Sequence, residues 1–151
     1  MPVKKLKDFL DTNQIKYRSI RHSPAYTAQE IAASAHISGK MIAKTVMIKV
    51  DGKMAMAVLP AENQVHFDFI QRALKTQAIK LAGEQEFKDM FPDCEVGAMP
   101  PFGNLYGMDV YVSETLAEDE EIAFNAGTHR ELIMLSYNDF YQLAKPRIIR
   151  M

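Results

Sequence analysis

Apolar residues at Val3, Leu6, Phe9 and Leu10 recur at helical spacing, which predicts an opening amphipathic helix that ends near Thr12 and Asn13. Ile15 to Arg21 then alternates apolar and polar positions like a short strand. Thr27-Ala28-Gln29-Glu30 has the spacing of a capping box, and the alanine-rich run to His36 continues it as a second helix. His22-Ser23-Pro24 is the bend before it. The clearest β signal is KTVMIKVDGKMAMAVLP, Lys44 to Pro60, where two apolar runs flank Asp51-Gly52, a pair suited to the positive φ angles of a tight hairpin turn. Lys44 stands where the first of these strands begins. Val65-His66-Phe67 starts either a strand or a helix. Phe69 to Leu74 and Glu84 to Phe91 read as helices, the second stopped by Pro92. Tyr106 to Val112, Ile122 to Asn125 and Ile133 to Leu135 read as strands, and Ser136 to Ala144 as a capped helix. Strands and helices mix without regular alternation, and this predicts an α+β fold with a mixed, mainly antiparallel sheet and helices around it.

A chain of 151 residues, 48% hydrophobic, is about the size of one domain and can bury a core, so residues 1–151 are expected to form a single unit. No apolar run approaches the length of a membrane span and the amino end lacks a signal-peptide core; both point to a cytoplasmic protein with no membrane partner. The single cysteine, Cys94, excludes an internal disulfide framework. Net charge −1 argues against non-specific coating of nucleic acid. The charge is unevenly spread, however: residues 1–53 carry ten Lys/Arg against four Asp/Glu, and residues 54–151 carry eight against fifteen. That separation suits one basic face and a short stretch of nucleic acid or another anion.

The chemistry is sparse. Cys94 lies between Asp93 and Glu95, neighbours that raise a thiol pKa, so it reads as structural. The histidines, His22, His36, His66 and His129, show no metal-ligand spacing, and no metal or cofactor is expected. Glu118 to Glu121 reads as a solvated turn, and the common phosphate-loop, dinucleotide and nucleophile-elbow motifs are missing. Lys44, among Ile42, Ala43, Val46 and Ile48, is a partly sheltered ammonium that would seek an anion or a polarised oxygen. GAMPPFG, Gly97 to Gly103, combines fixed φ angles with open amides, as a shaped wall requires.

Taken together, RHSPAYTAQE (Arg21 to Glu30), AKTVMIKVDG (Ala43 to Gly52), AVLPA (Ala57 to Ala61), FPDCEVGAMPPFG (Phe91 to Gly103) and FNAGTH (Phe124 to His129) resemble the YbaK-like family of aminoacyl-tRNA deacylases. That family is related to the editing domain inserted in many bacterial prolyl-tRNA synthetases. The resemblance implies hydrolysis of the ester that joins a wrongly attached amino acid to the terminal adenosine of tRNA, without metal or protein nucleophile. Lys44 matches the family's lysine, and Gly97 with Pro101 its G-x-x-x-P loop. His22 falls in its histidine-proline segment, and Asn125-Ala126-Gly127 in the segment that helps form the pocket. The site so implied has Lys44, Gly97 and His129 in catalysis, with His22, Tyr26, Pro100, Pro101, Phe102, Gly103, Asn125, Ala126 and Gly127 against the substrate. Lys44 would serve the carbonyl or the terminal phosphate. His129 would position water, contact the adenosine or move a proton.

Thr45 follows the lysine, where the alanine-editing branch typically has asparagine and the cysteine-editing branch threonine, while GAMPPFG and NAG-T-H look more like other branches. The amino acid removed therefore stays open. The expected partner is a mischarged tRNA acceptor end, with transient synthetase association and a monomer or weak homodimer. The rival reading is a non-catalytic module that binds aminoacyl-tRNA ends or an amino-acid-like ligand.

Overall fold

A computed structural model describes residues 4–22, 30, 33 and 39–151. The opening amphipathic pattern forms helix α1 (Lys4–Thr12), with Leu6 and Leu10 fully buried. The helix expected from Thr27 to His36 falls almost wholly outside the described residues. Strand β1 (Arg18–Arg21) is shorter than its sequence alternation. The hairpin forms as expected: β2 (Ile42–Val50) and β3 (Lys53–Pro60) pair antiparallel about Asp51 and Gly52, whose φ angles are 51° and 83°. Lys44 is the third residue of β2 rather than its first.

The stretch Val65-His66-Phe67 resolves as a helix start: α2 (Phe67–Leu74) begins directly after His66, which is extended at the N-cap position. A three-residue strand, β4 (Ile79–Leu81), follows, then a short α3 (Glu84–Phe87) that tightens into a 3-10 turn before Pro92. The strands and α-helix that follow are β5 (Asp109–Ser113), β6 (Glu121–Asn125), β7 (Glu131–Ser136), α4 (Tyr137–Ala144) and β8 (Arg147–Ile149). Ser136 caps α4, its Oγ accepting from the amide of Asp139 at 3.1 Å.

The eight strands among the described residues join one sheet, in the order β1-β7-β6-β2-β3-β5-β8, with β4 added to β2. Pairs β1–β7, β6–β7, β2–β3 and β2–β4 are antiparallel, and β2–β6, β3–β5 and β5–β8 are parallel. The sheet is therefore mixed and mainly antiparallel. Alternation along each strand sends residues to two different cores. Ala43, Met47, Met56, Val58 and Phe124 face the main one, which α1, α3 and α4 close with Leu6, Leu10, Phe87 and Phe140. On the other face Ile48, Ala55 and Ala57 form one patch, Ile42, Ala123, Leu132 and Met134 another, and Ile70 of α2 packs on Ile79 and Ile149. Among the described residues no helix is long and apolar enough to cross a membrane.

Candidate active site

The stagger of the parallel pair β2–β6 sets the C-terminal ends of β1 and β6 and the N-terminal end of β7 level with the first residues of β2 and the last of β3, through the pairs Arg21–Glu131, Asn125–Leu132, Ala43–Phe124 and Ala43–Pro60. Ala43 and Phe124 face the main core, so the next residue on each strand, Lys44 and Asn125, belongs to the opposite face. Lys44 is opposite Leu59 on β3, and Asn125 is opposite Leu132 on β7, which in turn is opposite Ile20 on β1. Each polar residue thus has a fully buried leucine as its cross-strand partner, Leu59 for Lys44 and Leu132 for Asn125.

Lys44 is half-buried, and that burial pushes its ammonium below the ordinary lysine range. It makes no ion pair among the described residues. The Oδ1 of Asn125 is buried and has no hydrogen-bond partner among them. A buried acceptor without a partner is costly in a resting fold, and such costs concentrate where a ligand is to bind.

Beyond Asn125 the chain turns through Ala126, Gly127, Thr128 and His129, and this turn is clamped to the proline-rich loop. The amide of Glu95 donates to Gly127 O at 2.8 Å, and that of Gly127 to Ala98 O at 2.9 Å. His129 Nε2 lies 3.0 Å from Val96 O, and the His129 amide donates to Glu95 Oε2 at 3.4 Å. Against a carbonyl, Nε2 must carry the proton. His129 is thereby placed as a strap that fixes the loop. Gly97 has φ +85°, a conformation that L side chains rarely adopt, and its Cα faces the His129 ring. The amides of Val96 and Gly97 donate to no group among the described residues, and both residues are exposed.

The loop divides in two. Glu95, Val96 and Gly97 are exposed, whereas Ala98 through Gly103 are buried. Phe102 and Gly103, expected against the substrate, are corrected to core positions. The Phe102 ring is fully buried and packs on Phe9, Phe124 and Phe140 with centroids 5.6–6.0 Å away. A Cβ on Gly103 would stand 2.8 Å from Met108 O, so only glycine fits there. Pro100 and Pro101 are likewise buried and stiffen the wall from behind. His22 lies at the same end, its amide donating to Arg130 O at 2.8 Å. Tyr26 falls outside the described residues. Cys94 is structural in placement: burial pushes its thiol up, and its Sγ is 3.8 Å from the Tyr106 hydroxyl.

Two residues went unread in the sequence. Glu95 supplies the carboxylate that receives His129. Glu131, 3% exposed, accepts from Ser19 Oγ and pairs with Lys7 Nζ at 3.8 Å, while its carbonyl accepts from the Ala126 amide at 3.1 Å. Glu131 thus pins the turn to β1 and α1. A lone acid at the head of the apolar run ELIML was its only signal. A cavity of about 760 Å³ between α1, β5 and α4, walled by Phe9, Asn104, Met108, Leu143 and Arg147, contains none of the expected site residues.

Substituting Gly97 by alanine tests the clamp. The added methyl has room at 3.6 Å from the ring, so the effect comes from the backbone: strain of about 1 kcal/mol or more and tilted amides. The expected result is a Tm lower by a few degrees and, on any ligand the loop holds, at least a tenfold weaker effect of the site; thermal melts and ligand titration check both.

The protein is thus an α+β sheet domain with a half-buried ammonium on one face and a loop clamped to the turn after β6. A family model of the aminoacyl-tRNA editing domain matches residues 22–143, and the chain belongs to that family. Among curated proteins it is similar to the multifunctional Ser/Thr-tRNA deacylase ProXp-y of Escherichia coli (strain K12), 29% identical over 112 residues that cover 71% of this chain and 66% of the deacylase. It is also similar to the proline–tRNA ligase of Bacillus mycoides (strain KBAB4), 22% identical over 89 residues; the match covers 59% of this chain but only 16% of the ligase. In fold it superposes on the structure of a protein provisionally assigned as a trans-editing enzyme for prolyl-tRNA synthetase, with TM-score 0.82 and 18% identity over 98% of this chain and 96% of the other.

Proposed function

We propose that the protein is an aminoacyl-tRNA deacylase that acts in trans, hydrolysing the ester between a wrongly attached amino acid and the terminal adenosine of tRNA. The observation that supports this reading is the half-buried ammonium of Lys44, without an ion pair among the described residues, together with the clamp that joins the Glu95–Ala98 segment to the turn after Asn125. An aminoacyl ester is already activated, so a site need only hold the carbonyl, place a water and stabilise the oxyanion. Water oxygen adds to the carbonyl carbon, and the carbonyl oxygen takes the charge. Collapse then expels the ribose oxygen, which leaves with a proton that came from the water.

Lys44, partly withdrawn from solvent, exerts a stronger field on that developing charge than an exposed lysine would. The open amides of Val96 and Gly97 are suited to the water or the oxyanion, and the neighbouring Glu95 carboxylate to the substrate's α-ammonium. His129 and Gly97 then act as positioning residues, and Pro100 and Pro101 as the stiff backing. The likeness to ProXp-y makes seryl- and threonyl-esters the first substrates to try, and the likeness to proline–tRNA ligase makes tRNAPro the first carrier.

The experiment incubates the protein with a panel of labelled tRNAs carrying serine, threonine, alanine, cysteine or proline and follows ester loss. Loss above buffer for at least one non-cognate pair is expected. No loss for any pair, together with tight binding of an amide-linked analogue, would replace this reading with that of a non-catalytic module.

A further inference from the structure

We propose that Glu131 is a positioning residue, whose carboxylate pins the register of the edge strand β1 on β7 and thereby holds His22 and the turn after β6 in one geometry. Its effect on rate rests on the deacylase reading; its effect on structure does not. Strand β1 is held by little else. Among the described residues it pairs only with β7, over four residues, and three of the four are exposed. Ile20 alone is partly buried, against the patch that contains Leu132 and Met134. A strand with one apolar anchor specifies its register weakly.

The Glu131 side chain supplies what the apolar pattern lacks. Its Oε1 accepts from Ser19 Oγ and pairs with Lys7 Nζ at 3.8 Å, so one oxygen ties β7 to both β1 and α1. Ser19 stands opposite Ile133, and its bond to Glu131 therefore runs diagonally across the pair on one face. A slip of one residue would turn Ser19 to the other face and break that bond. It would also carry His22 about 3.3 Å along the sheet, away from Arg130 O, which accepts from the His22 amide at 2.8 Å. The backbone of Glu131 closes the turn itself, since its carbonyl accepts from the amide of the buried Ala126 at 3.1 Å. Stability does not call for a charge at this place. Desolvating a carboxylate is costly, and an ion pair with one further hydrogen bond returns little beyond that cost. Ser19 is exposed and the Lys7 side chain is 36% exposed, so an apolar residue at 131 would leave both to water and orphan neither. What the carboxylate gives instead is direction, an acceptor that Ser19 reaches in one register only.

The test compares wild-type protein with Glu131→Met, Glu131→Gln and Ser19→Ala by thermal melts, amide hydrogen exchange and hydrolysis of the best ester of the tRNA panel. Glu131→Met is expected to melt within a few degrees of wild type. Its His22 and Ala126 amides should exchange about tenfold faster or more, with those of the β2–β3 hairpin unchanged, and kcat should fall by about tenfold to a hundredfold. Glu131→Gln, which keeps an acceptor for Ser19, should recover most of the rate. Ser19→Ala, at an exposed position, should shift the same two amides and kcat in the same direction, and should add little on top of Glu131→Met. A Glu131→Met protein in which both amides and kcat stay within about twofold of wild type, or in which protection falls across the whole sheet together, would overturn the proposal. Should Glu131→Met fail to fold, the same two amides in Ser19→Ala decide. Because exchange needs no substrate, local deprotection in a protein that hydrolyses no ester of the panel would sink the deacylase reading and leave the register pin standing.

Discussion

Lys44→Met is expected to lower kcat/KM for ester hydrolysis by about 10²–10³-fold, the usual consequence of deleting a charge or donor aimed at a developing oxyanion. The methionine keeps the length of the stem and its packing against Leu59, so only the ammonium is lost. If Lys44 acts on the carbonyl, most of the loss falls on kcat; if it holds the terminal phosphate, KM rises instead. Single-turnover rates across a substrate titration separate the two. A loss below threefold with an intact fold would remove Lys44 from the mechanism.

The same substitution carries a stability prediction of opposite sense. Burial without a counter-ion among the described residues lowers the folded-state pKa of Lys44 below its unfolded value. The unfolded state then holds the proton more tightly, so the charged lysine costs stability at all pH values below the folded pKa. That cost is relieved as pH rises from the folded towards the unfolded pKa. Lys44→Met should therefore melt at or slightly above the wild-type temperature at pH 7, with the difference shrinking as pH approaches the ordinary lysine range. Loss of activity without loss of stability marks a residue kept for function.

How far the sequence revealed this site follows from which contacts are local. The hairpin about Asp51-Gly52 and the Ser136 cap are written into neighbouring residues, and both form as read. Strands β4 and β8, three residues each, are too short to show alternation and exist through their pairing with β2 and β5. The parallel pair β2–β6 joins residues some eighty positions apart, so nothing near Lys44 announces that β2 begins beside β6. Motif resemblance brought Lys44 and Asn125 into one list. Only the register and the alternation of faces show that both belong to the same face of the sheet, each opposite a buried leucine.

The proline-rich loop failed differently: all seven residues read as one open wall, although Phe102 is an anchor in the core. Phe102→Ala should be the most destabilising of the substitutions considered, because the fully buried ring contacts Phe9 of α1, Phe124 of β6 and Phe140 of α4 edge-on. Truncation removes the burial and leaves a cavity that three elements cannot readily fill, a loss of about 3–5 kcal/mol. For a chain of this length that corresponds to a Tm lower by roughly 10 °C. Phe102→Leu, which refills most of the volume, should recover more than half of it. Activity is affected through the backbone, since Phe102 accepts from the Leu105 amide and donates to Pro100 O, each at 2.9 Å, and so anchors the far end of the segment whose near end holds Gly97. Well below its melting temperature Phe102→Ala should thus lose part of its ester hydrolysis, with Phe102→Leu restoring rate and Tm together. Lys44→Met should lose rate alone. A Phe102→Ala variant that melts within 2 °C of wild type would show that the ring is not the anchor, and the rigidity of the loop would then have to come from its prolines alone.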